Sequence, residues 1–227
     1  MLQLKASDSF VHIVGRVKVV RAVVLCEGRD DVEVLKTLAR RFGLQDRLRD
    51  VAVTDSEGIY TLRGTVLPTI LSLVVGRVVR AKPLALVVDA DKFTVEERVK
   101  SIVNSLQSRR LKVFSYEELC DNVWFLDVAT FTGERVPVLV AVNGIFQHPF
   151  ENLEVHELED HIAYLKLLTG SLREDEVKRV RRASQLVTND DFSLVESADR
   201  GRVERAFRHM LCLLEKLYRH LQARLER

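Results

Sequence analysis

The chain has 227 residues, 47% hydrophobic and 30% charged, enough apolar material for a sizeable core under an ionic surface, which excludes disordered, collagen-like and low-complexity classes. With 35 Lys and Arg against 33 Asp and Glu, the formal charge is +2, so no global field advertises a nucleic-acid or membrane partner, and any such surface is local. Cys26, Cys120 and Cys212 lie far apart and form no CxxC pair, a pattern that predicts a reducing, cytoplasmic setting and no disulfide scaffold. The N-terminal residues lack a signal-peptide pattern. The longest apolar run, between Arg63 and Arg77 and containing Pro68, is shorter than the ~20 residues of a membrane span. A soluble chain without a membrane partner is expected. Heavy use of Val, Leu, Arg and Glu is a thermophile-like bias.

Residues 17–26, VKVVRAVVLC, form a nearly continuous β-branched and aliphatic run and predict a strand covered on both faces, central to a parallel sheet. EGRDD follows. Val32, Leu35, Leu38 and Phe42 then recur at helical spacing, with Asp30 and Glu33 read as a cap and its partner and Gly43 as the stop. VAVTD at 51–55 predicts a second strand. SEG breaks it, and Ile59 to Val79 predicts a helix with a start or kink at Pro68. LALVVDAD at 84–91 predicts a third buried strand, ending in acids. Thr94 and Glu97 make a capping box for a helix whose apolar face is Val95, Val99, Ile102 and Leu106.

Three strand-to-helix units predict a mainly parallel, three-layer α/β core. After Leu111, LKVFSY predicts a further strand, and WFLDVATF, TGER and VPVLVAV a hairpin through Gly133 at the sheet edge. From Glu151 on, the pattern is helical. It ends in a long amphipathic helix whose stripe, Val203, Phe207, Met210, Leu214, Leu217 and Leu221, is a core face or a homodimer seam. The expected organisation is an N-terminal extension over 1–16, an α/β core over 17–125, a hairpin over 126–150 and a helical region over 151–227 packed on the core.

Strands of a parallel sheet end at one edge, where open α/β folds bind ligands. Glu27 follows the first strand there, and Asp89 and Asp91 close the third. Strand periodicity points both aspartates the same way, ~6–7 Å apart. Magnesium, or manganese, takes hard oxygen ligands and keeps water, so this spacing suits a hydrated ion. Glu27 is then a third ligand or the group that moves a proton in phosphodiester chemistry. Gly28 lets the backbone approach a phosphate, and Arg29 and Lys92 are placed to contact one.

These residues resemble a family. VVLCEGRDD, a helix, a further strand and helix, then LALVVDAD look like the Toprim domain of topoisomerases, bacterial-type primases, small ribosomal-RNA maturases and overcoming-lysogenisation-defect nucleases. The resemblance implies a Rossmann-like core, Glu27 as general acid or base, and Asp89 and Asp91 as magnesium ligands. Glu27 and Asp31 match the E-x-x-x-D metal-ligand pair of the lysogenisation-defect nucleases. A downstream acid of that family has its candidates in HELEDHI, as Glu157, Glu159 and Asp160. The chain looks most like small archaeal Toprim-like proteins of unassigned activity.

The implied function is magnesium-dependent phosphoryl transfer on nucleic-acid phosphodiesters. The alternative is a non-catalytic module that binds nucleic acid or nucleotide and recruits partners. A haloacid-dehalogenase-type phosphatase fits poorly, because Phe93 stands where that motif carries Thr or Val. Several signals have plainer readings: Asp30 and Asp31 as helix-terminal caps, His156 and His161 as surface or interface residues, His209 as packing, and KRVRR at 178–182 as a solvated mixed-charge helix.

Overall fold

The structure, a computed structural model, describes residues 2–3, 20–55, 82–129 and 133–223. The expected helix over 59–79 lies outside the described residues, as does most of the N-terminal extension. The strands are β1 (Leu2–Gln3), β2 (Ala22–Cys26), β3 (Val51–Asp55), β4 (Leu84–Asp89), β5 (Lys112–Cys120), β6 (Val123–Ala129) and β7 (Arg135–Asn143). The helices are α1 (Arg29–Arg41), α2 (Val95–Ser108), α3 (Leu158–Thr169), the short α4 (Glu174–Val177) and α5 (Leu194–Ser197), α6 (Arg200–Ala206) and α7 (Arg208–Ala223).

All seven strands join one sheet in the order β1-β3-β2-β4-β7-β6-β5. The pairs from β1 to β7 in that order are parallel, and β7-β6 and β6-β5 are antiparallel. Through β7, the hairpin extends the sheet beyond β4. This is a mixed α/β, Rossmann-like fold.

Period-two alternation sorts the strand residues onto two faces. Ala22, Val24, Cys26, Val51, Val53, Ala85, Val87, Leu139 and Ala141 share one core with α1, α3, α6 and α7. Val23, Leu25, Ala52, Leu84, Leu86, Val88, Val138, Val140 and Val142 pack on the other face against α2. Strands covered twice must be apolar at every position, which is why the sequence here shows unbroken Val and Leu runs.

The expected stripe of the C-terminal helix is buried inside the chain at all six positions. The helix itself is broken at Phe207 into α6 and α7. KRVRR is not helical beyond α4: it forms a turn whose Arg179 and Arg181 pair with Asp175 and Glu154.

Caps explain the helix ends. α2 carries the expected box: Thr94 Oγ1 accepts from Glu97 N at 3.3 Å, and Glu97 Oε2 accepts from Thr94 N at 2.8 Å. The cap of α1 differs from expectation. Its N-cap is Gly28, and Asp31 at the third helical position accepts from Gly28 N at 2.9 Å, so the helix starts two residues earlier than an Asp30 cap implies. At its C-terminus, Leu44 N bonds Ala39 O at 2.8 Å and Gly43 N bonds Arg40 O at 3.2 Å, with Gly43 at φ 70. That is a Schellman closure around the expected stop.

The cysteine reading is corrected. Cys120 at the end of β5 and Cys212 in α7 form a disulfide across 92 residues, leaving Cys26 as a buried thiol. Sequence spacing carries no sign of this pair, because its closeness is created by α7 lying against the sheet. Closing so long a loop in the unfolded chain is worth about 4–5 kcal/mol. Reduction, or Cys212→Ser, is therefore expected to lower stability by that amount in denaturant melts, and unchanged melts would show the bond contributes nothing.

Candidate functional site

The C-terminal edge of the parallel strands gathers the acids. Asp89 is the last residue of β4 and is in register with Asn143, the last of β7. Glu27 follows β2, its backbone N–H bonded to Val87 O at 2.9 Å. Its Oε2 accepts from Asp89 N at 3.0 Å. Asp31, one turn into α1, reaches back to the same edge. Glu27, Asp31 and Asp89 thus come together from three separate segments.

Asn143 joins them. Its Nδ2 donates to Asp31 Oδ1 at 2.8 Å and to Asp89 Oδ1 at 2.9 Å. Leu158 N, at the start of α3, adds a second bond to Asp89 Oδ1 at 3.1 Å, so the positive end of a 12-residue helix faces this carboxylate. Asn143 was not among the expected site residues; an Asn-Gly after an apolar strand reads as a turn. Only its register with Asp89 gives it a role.

Behind Asn143 lies a second layer. His209 Nε2 sits 2.9 Å from Asn143 Oδ1, and its ring stacks on His161 at 4.2 Å between centroids. Both amide protons of Asn143 go to carboxylates, so its oxygen is an acceptor and His209 donates from Nε2. His161 Nε2 accepts from Gly144 N at 3.0 Å, which leaves Nδ1 to donate to Ala206 O at 2.7 Å. His161, with one nitrogen accepting, is therefore neutral. Burial lowers His161 to about 4 and His209 well below the usual imidazole value. His156 is buried too, with Nδ1 2.8 Å from Asp160 Oδ2. The surface or interface reading of His156 and His161 is corrected: they are interior groups of α3 and its approach.

Asp91 behaves differently from Asp89. β4 stops at Asp89, and Asp91 adopts φ 55, so strand alternation does not carry through it. Its Oδ2 accepts from the guanidinium of the buried Arg98, which also donates to Ala90 O at 3.0 Å. Arg29 and Lys92 are exposed in the segments that follow β2 and β4. Gly28 has φ −121, and a Cβ there would meet only Asp31 Oδ2, at 3.5 Å. The fold itself does not demand a glycine at 28.

The electrostatics are one-sided. Burial pushes Asp31 up to about 7, opposed by the Gly28 and Asn143 hydrogen bonds and reinforced by Glu27 and Glu159. Asp89 is raised well above the usual carboxylate range by burial first, then by Asp31 and Glu27. Glu159 is raised by burial and by neighbouring acids. The charges that move Asp31 and Asp89 are all carboxylates.

Among the described residues, no three His, Cys, Asp or Glu side chains form a ready-made metal cage. Magnesium does not require one, since it usually keeps several waters and takes only one or two carboxylates. The hard-oxygen donors of Glu27 and Asp89 fit such an ion.

A family model described as "Protein of unknown function (DUF3226)" matches residues 21–179. No curated protein matches the chain. Among solved structures, a hypothetical protein of Pyrococcus horikoshii is 18% identical, with a TM-score of 0.54 over 86% of this chain and 98% of that one. It shares the fold. The C-terminal region of the OLD protein of Xanthomonas campestris pv. campestris is 15% identical, with a TM-score of 0.41 over 92% of this chain and 98% of that one. No helix among the described residues is long and apolar enough to cross a membrane.

The shifted groups set a pH dependence. Between 3.8 and about 7 the folded chain holds a proton on Asp31 that the unfolded chain has released. Its contribution to stability is full at low pH and lost as pH rises through about 7. The depressed histidines act oppositely: their contribution is full above 6.5 and is lost as pH falls towards about 4. Removing Asp31 removes its own titration and part of the upward push on Asp89, which act in the same direction, and leaves the histidines in place. Denaturant melts should show Asp31→Asn gaining stability relative to wild type as pH rises from ~4 to ~7, by a few kcal/mol on the order of magnitude. The lost Asn143 contact adds only a constant offset. A pH-independent difference would mean that Asp31 is ionised throughout.

Proposed function

We propose that this chain, which belongs to the DUF3226 family, is a magnesium- or manganese-dependent phosphoryl-transfer protein of Toprim type acting on nucleic-acid phosphodiesters. The observation that carries the reading is the crowding of Glu27, Asp31, Asp89 and Glu159 at one sheet edge, where each raised carboxylate pKa reflects burial among like charges. In the apo chain, protonation relieves that repulsion. A divalent cation relieves it without giving up the negative charge, and it lets a phosphate approach a surface that otherwise repels it.

Glu27 and Asp89 hold the ion in this reading, with Asp91 and Asp31 as further ligands. When bound, the ion stabilises charge on the phosphate oxygens. The chain's own groups do the rest. Asn143 and Leu158 N fix the rotamer of Asp89. Glu27, half-buried and anchored through Oε2 to Asp89 N, moves a proton to or from the attacking or leaving oxygen. The backbone at Gly28 leaves room for a phosphate oxygen, with Arg29 and Lys92 adding positive charge in the adjoining segments.

A second reading has its own support. Asp89 Oδ1 is already committed to two donors, and no cage is preformed among the described residues, so the site also suits a module that binds nucleic acid without turnover. Cleavage assays with Mg²⁺ and Mn²⁺ on single-stranded, double-stranded and structured substrates separate the two. The enzyme reading expects metal-dependent cleavage that falls by about a hundredfold or more in Glu27→Gln and Asp89→Asn, with the folded circular-dichroism spectrum retained. Cleavage that survives in both variants would sink it. Absence of cleavage beside salt-sensitive binding gives the second reading its case.

A further inference from the structure

A cleft of about 360 Å³ opens beside the acid cluster, between the β5–β6 turn, the segment after β7, α3 and the α6–α7 junction. Its lining combines three kinds of group. Phe146 and Tyr164 are half-buried aromatic rings. Arg205 and Arg208 are exposed cations three residues apart. Arg205 makes no ion pair among the described residues, and Arg208 has only an exposed contact with Asp121 at 3.4 Å, a pair weak enough to exchange for a better anion.

The third kind is buried and polar: His161 and His209, each 4% exposed. His209 spends its Nε2 proton on Asn143, so Nδ1 is a lone-pair acceptor, and it has no hydrogen-bond partner among the described residues. His161 has both nitrogens engaged and cannot supply a proton.

The cleft is built, not incidental. Gly144 lines it with φ 137, and a Cβ there would lie 2.8 Å from His156 Cβ and 3.2 Å from Phe146 Cε2. Its N–H is held by His161 and its carbonyl by Asn122 Nδ2 at 3.1 Å. A fixed floor, flanking rings, an unpartnered buried acceptor and two recruitable guanidiniums describe a ligand with an aromatic ring, a hydrogen-bond donor on that ring and an anion.

We propose that this cleft binds a nucleotide unit, its base against Phe146 and Tyr164, a base N–H donating to His209 Nδ1 and its phosphate held by Arg205 and Arg208. The nucleotide is either free or the end of a strand. Binding needs no metal; the proposal draws on the phosphodiester reading only for which nucleotide-bearing molecule the cleft serves.

The test is calorimetry on the full chain in EDTA with AMP, GMP, CMP and UMP, ribose 5-phosphate and a 5′-phosphorylated oligonucleotide as probes. At least one mononucleotide is expected to bind about tenfold or more tightly than ribose 5-phosphate, and Arg205→Ala and Arg208→Ala are each expected to weaken it about tenfold. Both arginines are exposed, so the variants should melt like wild type. Tighter binding of the oligonucleotide than of the mononucleotide makes the strand end the source, and the reverse makes it the free nucleotide. No binding of any mononucleotide at millimolar concentration, equal binding of ribose 5-phosphate, or affinity unchanged in both arginine variants overturns the proposal. Mn²⁺ titration of the same proteins after EDTA has been removed keeps the outcomes apart: retained ion binding without nucleotide binding overturns the cleft alone.

Discussion

The side-chain amide of Asn143 has two protons; one goes to the buried Asp31 and the other to the half-buried Asp89. Asp31 and Asp89 arrive there for reasons of backbone geometry: one sits a turn into α1, the other ends a central strand. Each would be costly alone at that depth. A neutral amide and the first N–H of α3 are what the chain offers them. Dipoles of that kind orient charge without cancelling it, so the pKa values stay high. The edge of the sheet is therefore a place where the protein tolerates unfavourable electrostatics, a common property of sites that meet ligands.

Much of this was legible in the sequence, and the division is physical. Strands covered on both faces announce themselves as continuous apolar runs, and β2, β3 and β4 fall where those runs do. The Thr94–Glu97 box is local chemistry and needs no tertiary knowledge. Glu27 and Asp89 are readable because a parallel sheet sends all its strand ends to one edge. What escaped depends on contacts between distant segments. Asn143 matters because β7 pairs with β4. The burial of His161 and His209 requires α6 and α7 to close over the sheet. The Cys120–Cys212 pair exists only after that closure.

Asp91 shows where a sequence rule stops. Period-two alternation holds inside a strand, and the DxD spacing invites its use across both acids. The strand ends between them, and the chain turns left-handed at the second. Arg98 is the reason this is stable. A guanidinium buried on α2 needs an anion and a carbonyl, and Asp91 and Ala90 provide them. The two aspartates of one motif are thus held by different physics, one by neutral donors and the other by a buried cation. Substitutions at Asp91 remove the counter-charge of Arg98 and report on stability as well as chemistry.

The amide of Asn143 also has a direction, and that direction links the acid cluster to the cleft. While Asp31 and Asp89 are anionic they accept only, so the nitrogen of the amide must face them and its oxygen must face His209. The imidazole then has one permitted tautomer, with its proton on Nε2 and its lone pair on Nδ1. The two hydrogen bonds to the acids and the one to His209 therefore tie the sheet edge to the cleft through two side chains.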